Sequence, residues 1–402
     1  RVRYVSSQLP AKEATAVWVA GANRSGLLIV GTPEIAMWPL GFPALWVVME
    51  EGRRAMKAKQ TPTIQVRDVV RRRALIERSA LVMLGPVPTL DALAKGAATA
   101  EPPGRVWSLV ETVDRREDDS RSRVLARRTV AAIRGSLDRG GQVFVFVSRR
   151  GYAPAFRCVR CRELRRCPEC GAGPDRGDAC RRCATPLGPC VACDGRRFEP
   201  LGAGIGRVAD ELIRQFGPDA VGPPDTGRQV MVGTERDLPS VPATALTVAV
   251  DADSMLMAPH YRADEDALRI LARVAATVSR GRGNRCLIQS SQPEHPVLIA
   301  LRGGHPLPAL NEMIAERERD GLPPSTELLA IEVAGDATDR SGDLEVLDDA
   351  VQLHGPELGG ERTRWFLQGG SLQTARVLLR AVVQRWRDSG LKVRIDADPV
   401  DL

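Results

Sequence analysis

The chain has 402 residues, 43% of them hydrophobic, and its 57 Lys and Arg against 50 Asp and Glu give a formal charge of +7. That length and apolar content supply cores for about two to four domains and exclude a disordered or fibrous chain. No apolar stretch approaches the ~20 residues that cross a bilayer, so no membrane partner is expected.

The mild positive excess favours polyanions without naming one. Only five cations are lysines (Lys12, Lys57, Lys59, Lys95 and Lys392), and such an arginine bias reports genome composition as readily as phosphate recognition. The sequence opens on Arg1 rather than Met, which implies a part upstream.

In chain order, short apolar runs bounded by Gly, Pro or polar residues predict strands over 27–30, 45–49, 80–84, 143–147, 230–232, 246–250 and 286–288. Runs apolar on both faces fit parallel strands covered by helices, and helical patterns intervene over 66–78, 121–137, 206–215 and 263–279. The chain is therefore read as α/β. Ala, Pro and Gly cluster over 97–104, and a second break is expected over 302–308. Beyond it lie a helix over 308–319, strands over 328–333 and 365–368, a helix over 373–388 and a strand over 393–397. These make a small α+β unit of the last ~95 residues.

Eight of the nine cysteines fall into four Cys-x-x-Cys knuckles: Cys158/Cys161, Cys167/Cys170, Cys180/Cys183 and Cys190/Cys193. Four thiolates saturate a tetrahedral structural ion, so eight predict two closed Zn²⁺ sites with no position left for catalysis. A redox reading, prompted by Pro168 inside the second knuckle, has to account for four dithiols together. A disulfide reading needs an oxidising compartment, for which no signal peptide is in view. The array interrupts the α/β pattern between the strands at 143–147 and 230–232, so it is an insertion. Its Gly, Pro and Arg content supplies almost no core, and metal binding, on the order of 10 kcal/mol in small zinc modules, has to hold it folded. Ten arginines against five acids over 157–197 are offset by eight thiolates around two zincs, which leaves the insertion close to neutral. The four histidines, His260, His295, His305 and His354, are scattered and not needed as ligands, and Cys286 lies in an apolar run as a core residue.

Several further stretches flank the knuckles: Ser148-Arg149-Arg150-Gly151-Tyr152-Ala153-Pro154 before them, then Gly202-Ala203-Gly204, Val232-Gly233-Thr234 and Tyr261-Arg262-Ala263. Gln292-Pro293-Glu294-His295-Pro296, Gly321-Leu322-Pro323-Pro324 and Asp396-Ala397-Asp398-Pro399 follow. Their order around a rare knuckle array resembles the PriA family of primosomal replication-restart proteins (primosomal protein N′), superfamily 2 helicases with a cysteine-rich insertion in the second motor lobe. The resemblance covers essentially the whole chain and is actinobacterial-like.

It implies two RecA-like lobes, the first partial. Residues 1–104 would form partial lobe 1, 105–155 the start of lobe 2, 156–200 the zinc insertion, 201–303 the rest of lobe 2, and 304–402 a C-terminal domain. It also implies nested pairing: Cys158, Cys161, Cys190 and Cys193 around one zinc, and Cys167, Cys170, Cys180 and Cys183 around the other. Spacing alone permits sequential pairing equally. Arg149, Arg150 and Tyr152 become candidate DNA contacts, with a packed aromatic beside surface arginines as the plainer reading.

The motor motifs depart from that family. A phosphate-binding loop ending in Gly-Lys-Ser/Thr does not occur in these residues, the nearest stretch beginning at Gly21 and running from Gly26 into Leu27; by the order of that family the loop would lie upstream of Arg1, so the departure rests on the other motifs. Where the family has Asp-Glu-Glu-His, the chain has Met49-Glu50-Glu51-Gly52, and a thioether offers Mg²⁺ no hard oxygen. Glu50 and Glu51 read more simply as a solvated strand end. Gly85-Pro86-Val87-Pro88 replaces Ser-Ala-Thr-Pro, and Arg236-Asp237-Leu238-Pro239 follows a deletion after Gly233-Thr234-Glu235. Gln-Val-Ala-Gly-Arg-Ala-Gly-Arg is replaced by the residues from Arg273 to Arg280, with one arginine surviving, Arg280. Several independent parts of a phosphoryl-transfer site are thus missing, and ATP is not an expected cofactor.

The resemblance therefore implies a degenerate, nucleoid-associated cytoplasmic protein that binds forked DNA and promotes primosome assembly without ATP-driven unwinding. The replicative helicase loader and single-stranded DNA-binding protein are its implied partners. A working 3′-to-5′ helicase and a zinc-ribbon docking adaptor are the alternatives. In the last unit, Trp365 and Trp386 read as core or interface anchors, and a basic, aromatic-lined pocket of Arg362, Arg364, Trp365 and Arg376 for an acidic peptide or DNA backbone is the lesser reading.

Overall fold

The architecture comes from a computed structural model that describes every residue except 7, 24–25, 42, 59, 101–102, 117–122, 149–155, 162, 164, 170–178, 181–184, 201–203, 259, 348–349, 360–361 and 401–402. Two compact units emerge: Arg1–Ala92 with Glu327–Pro399, and Leu93–Thr326.

The first unit opens with β1 (Val2–Val5), α1 (Ala11–Asn23) and β2 (Leu28–Gly31), the two strands pairing in parallel. Then come β3 (Leu45–Met49), a short antiparallel pair β4 (Lys57–Ala58) and β5 (Ile64–Gln65), α2 (Val66–Glu77) and β6 (Ala80–Leu84). β3 and β6 pair in parallel, and Trp46 and Val48 pack on Val66, Val70 and Ala74, an i, i+4, i+8 stripe of α2. Helix α3 (Leu90–Ala94) follows.

The second unit is built on a six-stranded, all-parallel sheet. Its elements are β7 (Val110–Asp114), α4 (Arg127–Leu137), β8 (Val143–Phe146), the hairpin strands β9 (Phe156–Cys158) and β10 (Phe198–Pro200), α5 (Ile205–Phe216), β11 (Val221–Gly222) and β12 (Val230–Gly233). β13 (Leu246–Ala249), α6 (Asp253–Leu256), α7 (Ala263–Ala276), β14 (Arg285–Ser290), α8 (Pro296–Gly303) and α9 (Leu307–Arg319) complete it. The strand order is β11-β12-β8-β13-β14-β7. β8, β12 and β13 are buried at every residue, as central parallel strands covered on both faces must be.

Two helix limits differ from the sequence expectation by three residues or more. α4 starts at Arg127 rather than 121, because the backbone N–H groups of Val124 and Leu125 donate to the Glu211 carboxylate and that of Ala126 to Gln289. α7 stops at Ala276 rather than 279, because Thr277 turns its hydroxyl to the Val274 carbonyl and to Thr247 while Ser279 bonds Thr244. β7 had no apolar run to announce it: Glu111 and Asp114 interrupt the pattern, which an edge strand tolerates.

The chain then returns to the first unit as β15 (Glu327–Ala334), β16 (Gln352–Gly359), β17 (Arg362–Gly369), α10 (Gln373–Asp388) and β18 (Val393–Ala397). The antiparallel sheet has the order β16-β17-β15-β18. β16 escaped the sequence reading because Gly355 and Pro356 sit inside it, at a register shift between His354 and Glu357. Trp365 and Trp386 meet beneath the sheet with ring centroids 5.5 Å apart. Along β18, Thr63 donates its backbone N–H to the Ile395 carbonyl and accepts the Ala397 N–H on its hydroxyl, so the β4–β5 segment seals that edge.

Candidate metal centre

The insertion leaves the sheet after β8 and is closed at its base by β9 and β10, where Cys158 lies opposite Phe198 and Phe156 opposite Pro200. Arg157 pairs with Glu199 at 2.8 Å, and the Arg165 guanidinium lies 4.4 Å above the Phe198 ring. Within the insertion one backbone motif recurs. The first cysteine of a knuckle donates its N–H to the carbonyl five residues on: Cys158 to Glu163 at 2.7 Å, Cys180 to Thr185 at 2.8 Å and Cys190 to Gly195 at 2.9 Å. Such a turn folds the two thiols of a knuckle toward one point.

The first and fourth knuckles meet. The Sγ atoms of Cys158, Cys161, Cys190 and Cys193 all lie within 4.8 Å of one another, with Cys158–Cys193 at 3.5 Å and Cys161–Cys190 at 3.4 Å. Thiolates ~2.3 Å from a tetrahedral ion stand about 3.8 Å apart, so the Cys158–Cys193 and Cys161–Cys190 contacts would each open by a few tenths of an ångström around a metal. Cys158 and Cys190 are buried, Cys193 is half-buried and Cys161 is exposed. Gly195 makes the approach possible, since a Cβ there would lie 2.9 Å from the Cys158 sulfur and 3.3 Å from that of Cys193. Sequence reasoning passed over this glycine, although Cys193-Asp194-Gly195 directly after a knuckle was a usable signal.

The protonation pattern also fits a metal. The Cys161 backbone N–H, with the Arg160 N–H and the neighbouring thiols, pulls the Cys158 thiol down to about 7. The Glu163 N–H acts in the same direction on Cys161, but the thiols of Cys193, Cys190 and Cys158 push that group up to about 12. Crowded sulfurs cannot all ionise without a cation, and a bound ion would take the place of the shared protons.

Of the second expected ligand set, Cys167 and Cys180 are buried, while Cys170 and Cys183 lie outside the described residues. Arg149, Arg150 and Tyr152 lie outside them too. Cys286 is buried in β14, and desolvation pushes its thiol up to about 12.

Several other sequence readings are corrected. Glu51 is not a solvated strand end: it is buried and its carboxylate accepts the Thr89 backbone N–H at 2.8 Å and hydroxyl at 3.2 Å. Nor do Arg362, Arg364, Trp365 and Arg376 line one pocket. Alternation along β17 sends Trp365 into the core while Arg362 and Arg364 flank buried Glu332 on the opposite face, and Arg376 pairs with Glu327. Arg280 donates to the Arg105 carbonyl at 3.1 Å, and Arg273 pairs with Glu235 at 2.6 Å.

No family model matches the chain. Among curated proteins, the chain is 28% identical over 375 residues to "Probable replication restart protein PriA" of Mycobacterium tuberculosis H37Rv, covering 85% of this chain and 56% of that protein. The PriA protein of Deinococcus radiodurans is 28% identical over 397 residues (88% of this chain, 42% of that one), and that of Treponema pallidum 22% over 431 residues (93% and 65%). The chain is homologous to replication restart proteins named PriA. It spans about half the length of these PriA relatives. No helix among the described residues is long and apolar enough to cross a membrane.

Proposed function

We propose that this chain is a degenerate PriA-type protein that binds branched DNA at abandoned replication forks and promotes primosome assembly without turning over ATP. Homology to proteins named for replication restart supports the setting, and the knuckle cluster at the base of an insertion in a parallel sheet supports the structural plan. In this reading residues 1–104 are a partial first helicase-like lobe, 105–155 and 201–303 the second, 156–200 the insertion and 304–402 a C-terminal domain.

The metal is zinc, held in two closed sites. All-thiolate donors suit it, and the inner pair reuses the backbone turn of the outer one at Cys180. Arg149, Arg150 and Tyr152 are the proposed DNA contacts, and the helicase loader and single-stranded DNA-binding protein the proposed partners.

The observation that carries the non-hydrolysing half is the state of Arg280, the one arginine left where the family keeps its phosphate-contacting pair. It is turned to a backbone carbonyl of its own unit, and Arg273, at the start of the same stretch, is taken up by Glu235. With Met49 at the metal-binding position, neither Mg²⁺ nor developing phosphate charge finds its usual partner. ATP hydrolysis with and without forked DNA tests the reading: no stimulation is expected, and fork-stimulated turnover makes the protein a working helicase instead. Loss of fork binding altogether would favour a zinc-ribbon adaptor that docks proteins.

A further inference from the structure

From Ala267 to Pro293 the sequence holds five arginines and no acid. The loop between α7 and β14 reads Ser279-Arg280-Gly281-Arg282-Gly283-Asn284-Arg285, and it reverses at Gly283, whose φ is 84°. Arg282, beside that turn, is exposed. Arg285 donates to the Gly283 carbonyl at 3.3 Å and lies 3.4 Å from the Glu111 carboxylate on β7. From the first turn of α4, Arg128 reaches the same carboxylate at 2.8 Å with 64% of its side chain exposed. On the other flank of the loop, Arg280 donates to the carbonyl of Arg105, which is itself exposed. Five guanidinium groups thus gather near the amino ends of β14 and β7 around one carboxylate, and none of them pairs with a second acid among the described residues.

Exposed ion pairs add little to stability, and uncompensated cations repel one another, so the fold gains nothing from this excess while a polyanion would neutralise it. The chemistry narrows the kind of polyanion. Trp107 is buried, and neither 105–111 nor the loop carries another aromatic residue, so the bases of a single strand find no stacking platform. Guanidinium groups alone suit the sugar-phosphate backbone of a duplex, which they grip without reading its sequence. Strand direction separates this patch from the other candidate contacts. Arg149, Arg150 and Tyr152 follow the carboxyl end of β8 in the sequence, whereas Arg282 and Arg285 stand at the amino end of β14. In a parallel sheet those ends lie on opposite edges, about 15–20 Å apart for strands of this length. We propose that the edge formed by Arg128, Arg282 and Arg285 holds the backbone of one duplex arm of a fork, apart from the contacts beyond β8. The inference rests on the DNA-binding reading and adds a second, sequence-independent contact to it.

Fluorescence anisotropy with a labelled fork, a duplex and a single strand across a salt series tests it, because each phosphate contact contributes about one unit to the slope of log affinity against log salt. Arg128→Gln combined with Arg282→Gln is expected to make the slope shallower by about two units for fork and duplex alike, and to leave it unchanged for the single strand. Arg282→Gln alone, at an exposed side chain, is expected to remove about one unit with the thermal unfolding midpoint unchanged. Arg319→Gln, an equal loss of charge on α9, is expected to keep the parent's slope. An unchanged slope in the double variant, with the parent still holding the fork, overturns the proposal and leaves the edge to an acidic protein. A change confined to the single strand overturns it as well. A parent that binds none of the three DNAs overturns both the proposal and the reading beneath it.

Discussion

Arg317, near the end of α9, places its guanidinium 2.9 Å from the carboxylate of Glu265 on α7, and both side chains are buried. Arg262 reaches the same carboxylate at 3.3 Å, and the Tyr261 ring lies 5.0 Å from Arg262 and 5.3 Å from Arg317. Arg317 also donates to the Pro323 carbonyl, so one side chain ties the segment after α9 to the parallel-sheet unit. Stranding a buried charge outright costs about 3–5 kcal/mol, and because Arg262 stays on Glu265 when Arg317 is removed, a smaller loss of about 2–3 kcal/mol follows here. Arg317→Met is expected to lower unfolding stability by that amount in urea titration, whereas Arg319→Met, two residues on and exposed, is expected to stay within about 0.5 kcal/mol of the parent.

Gly195 is expected to govern metal affinity without being a ligand. Gly195→Ala would press a methyl group against the Cys158 sulfur, and disturbance of a group that orients ligands typically costs 10–100-fold in affinity. Gly188→Ala, whose added Cβ meets nothing within 4 Å, is the matched control and is expected to bind like the parent. Competition against a chromophoric chelator reads both.

Much of this site was legible in the sequence because Cys-x-x-Cys spacing states its own chemistry, and most strands were legible because β3, β6, β8, β12 and β13 are short apolar runs. What escaped depended on partners far along the chain. The start of α4 is set by Glu211 and Gln289, which lie 86 and 163 residues beyond Leu125 and Ala126. Glu51 looked like a solvated strand end until Thr89 closed over it, and the proposed basic pocket failed because strand alternation separates Trp365 from the arginines on either side. A period of two was available at β17 and would have made that separation evident.

Asp251, just past β13, has a carboxyl group held up at about 6 by desolvation first and then by the neighbouring Asp253 charge. A group whose folded value lies above its unfolded one contributes stability below pH ~4 that is lost as the pH rises through about 6. Asp251→Asn is therefore expected to stabilise the protein at pH 7.5, by up to about 3 kcal/mol, and to flatten the decline between pH 4 and pH 6. Thermal unfolding of parent and variant across that range provides the comparison.

The two-zinc reading makes a stoichiometric statement. Cys190→Ser is expected to lower tightly held zinc from two equivalents to about one and to increase amide hydrogen exchange across 156–200, while Cys286→Ser, in the core of the sheet, is expected to leave the zinc content unchanged. Because protons compete for the same thiolates, zinc retention in the parent is expected to fall as the pH is lowered from 7 toward 5.

Fork recognition without fuel is tested most directly by fluorescence anisotropy with a labelled fork and an unbranched duplex of equal length, in the absence of nucleotide. The fork is expected to bind at least tenfold more tightly, with an affinity that falls steeply as salt rises through counterion release. Equal affinity for the two DNAs, or fork binding that emerges only when ATP is added, would contradict the account.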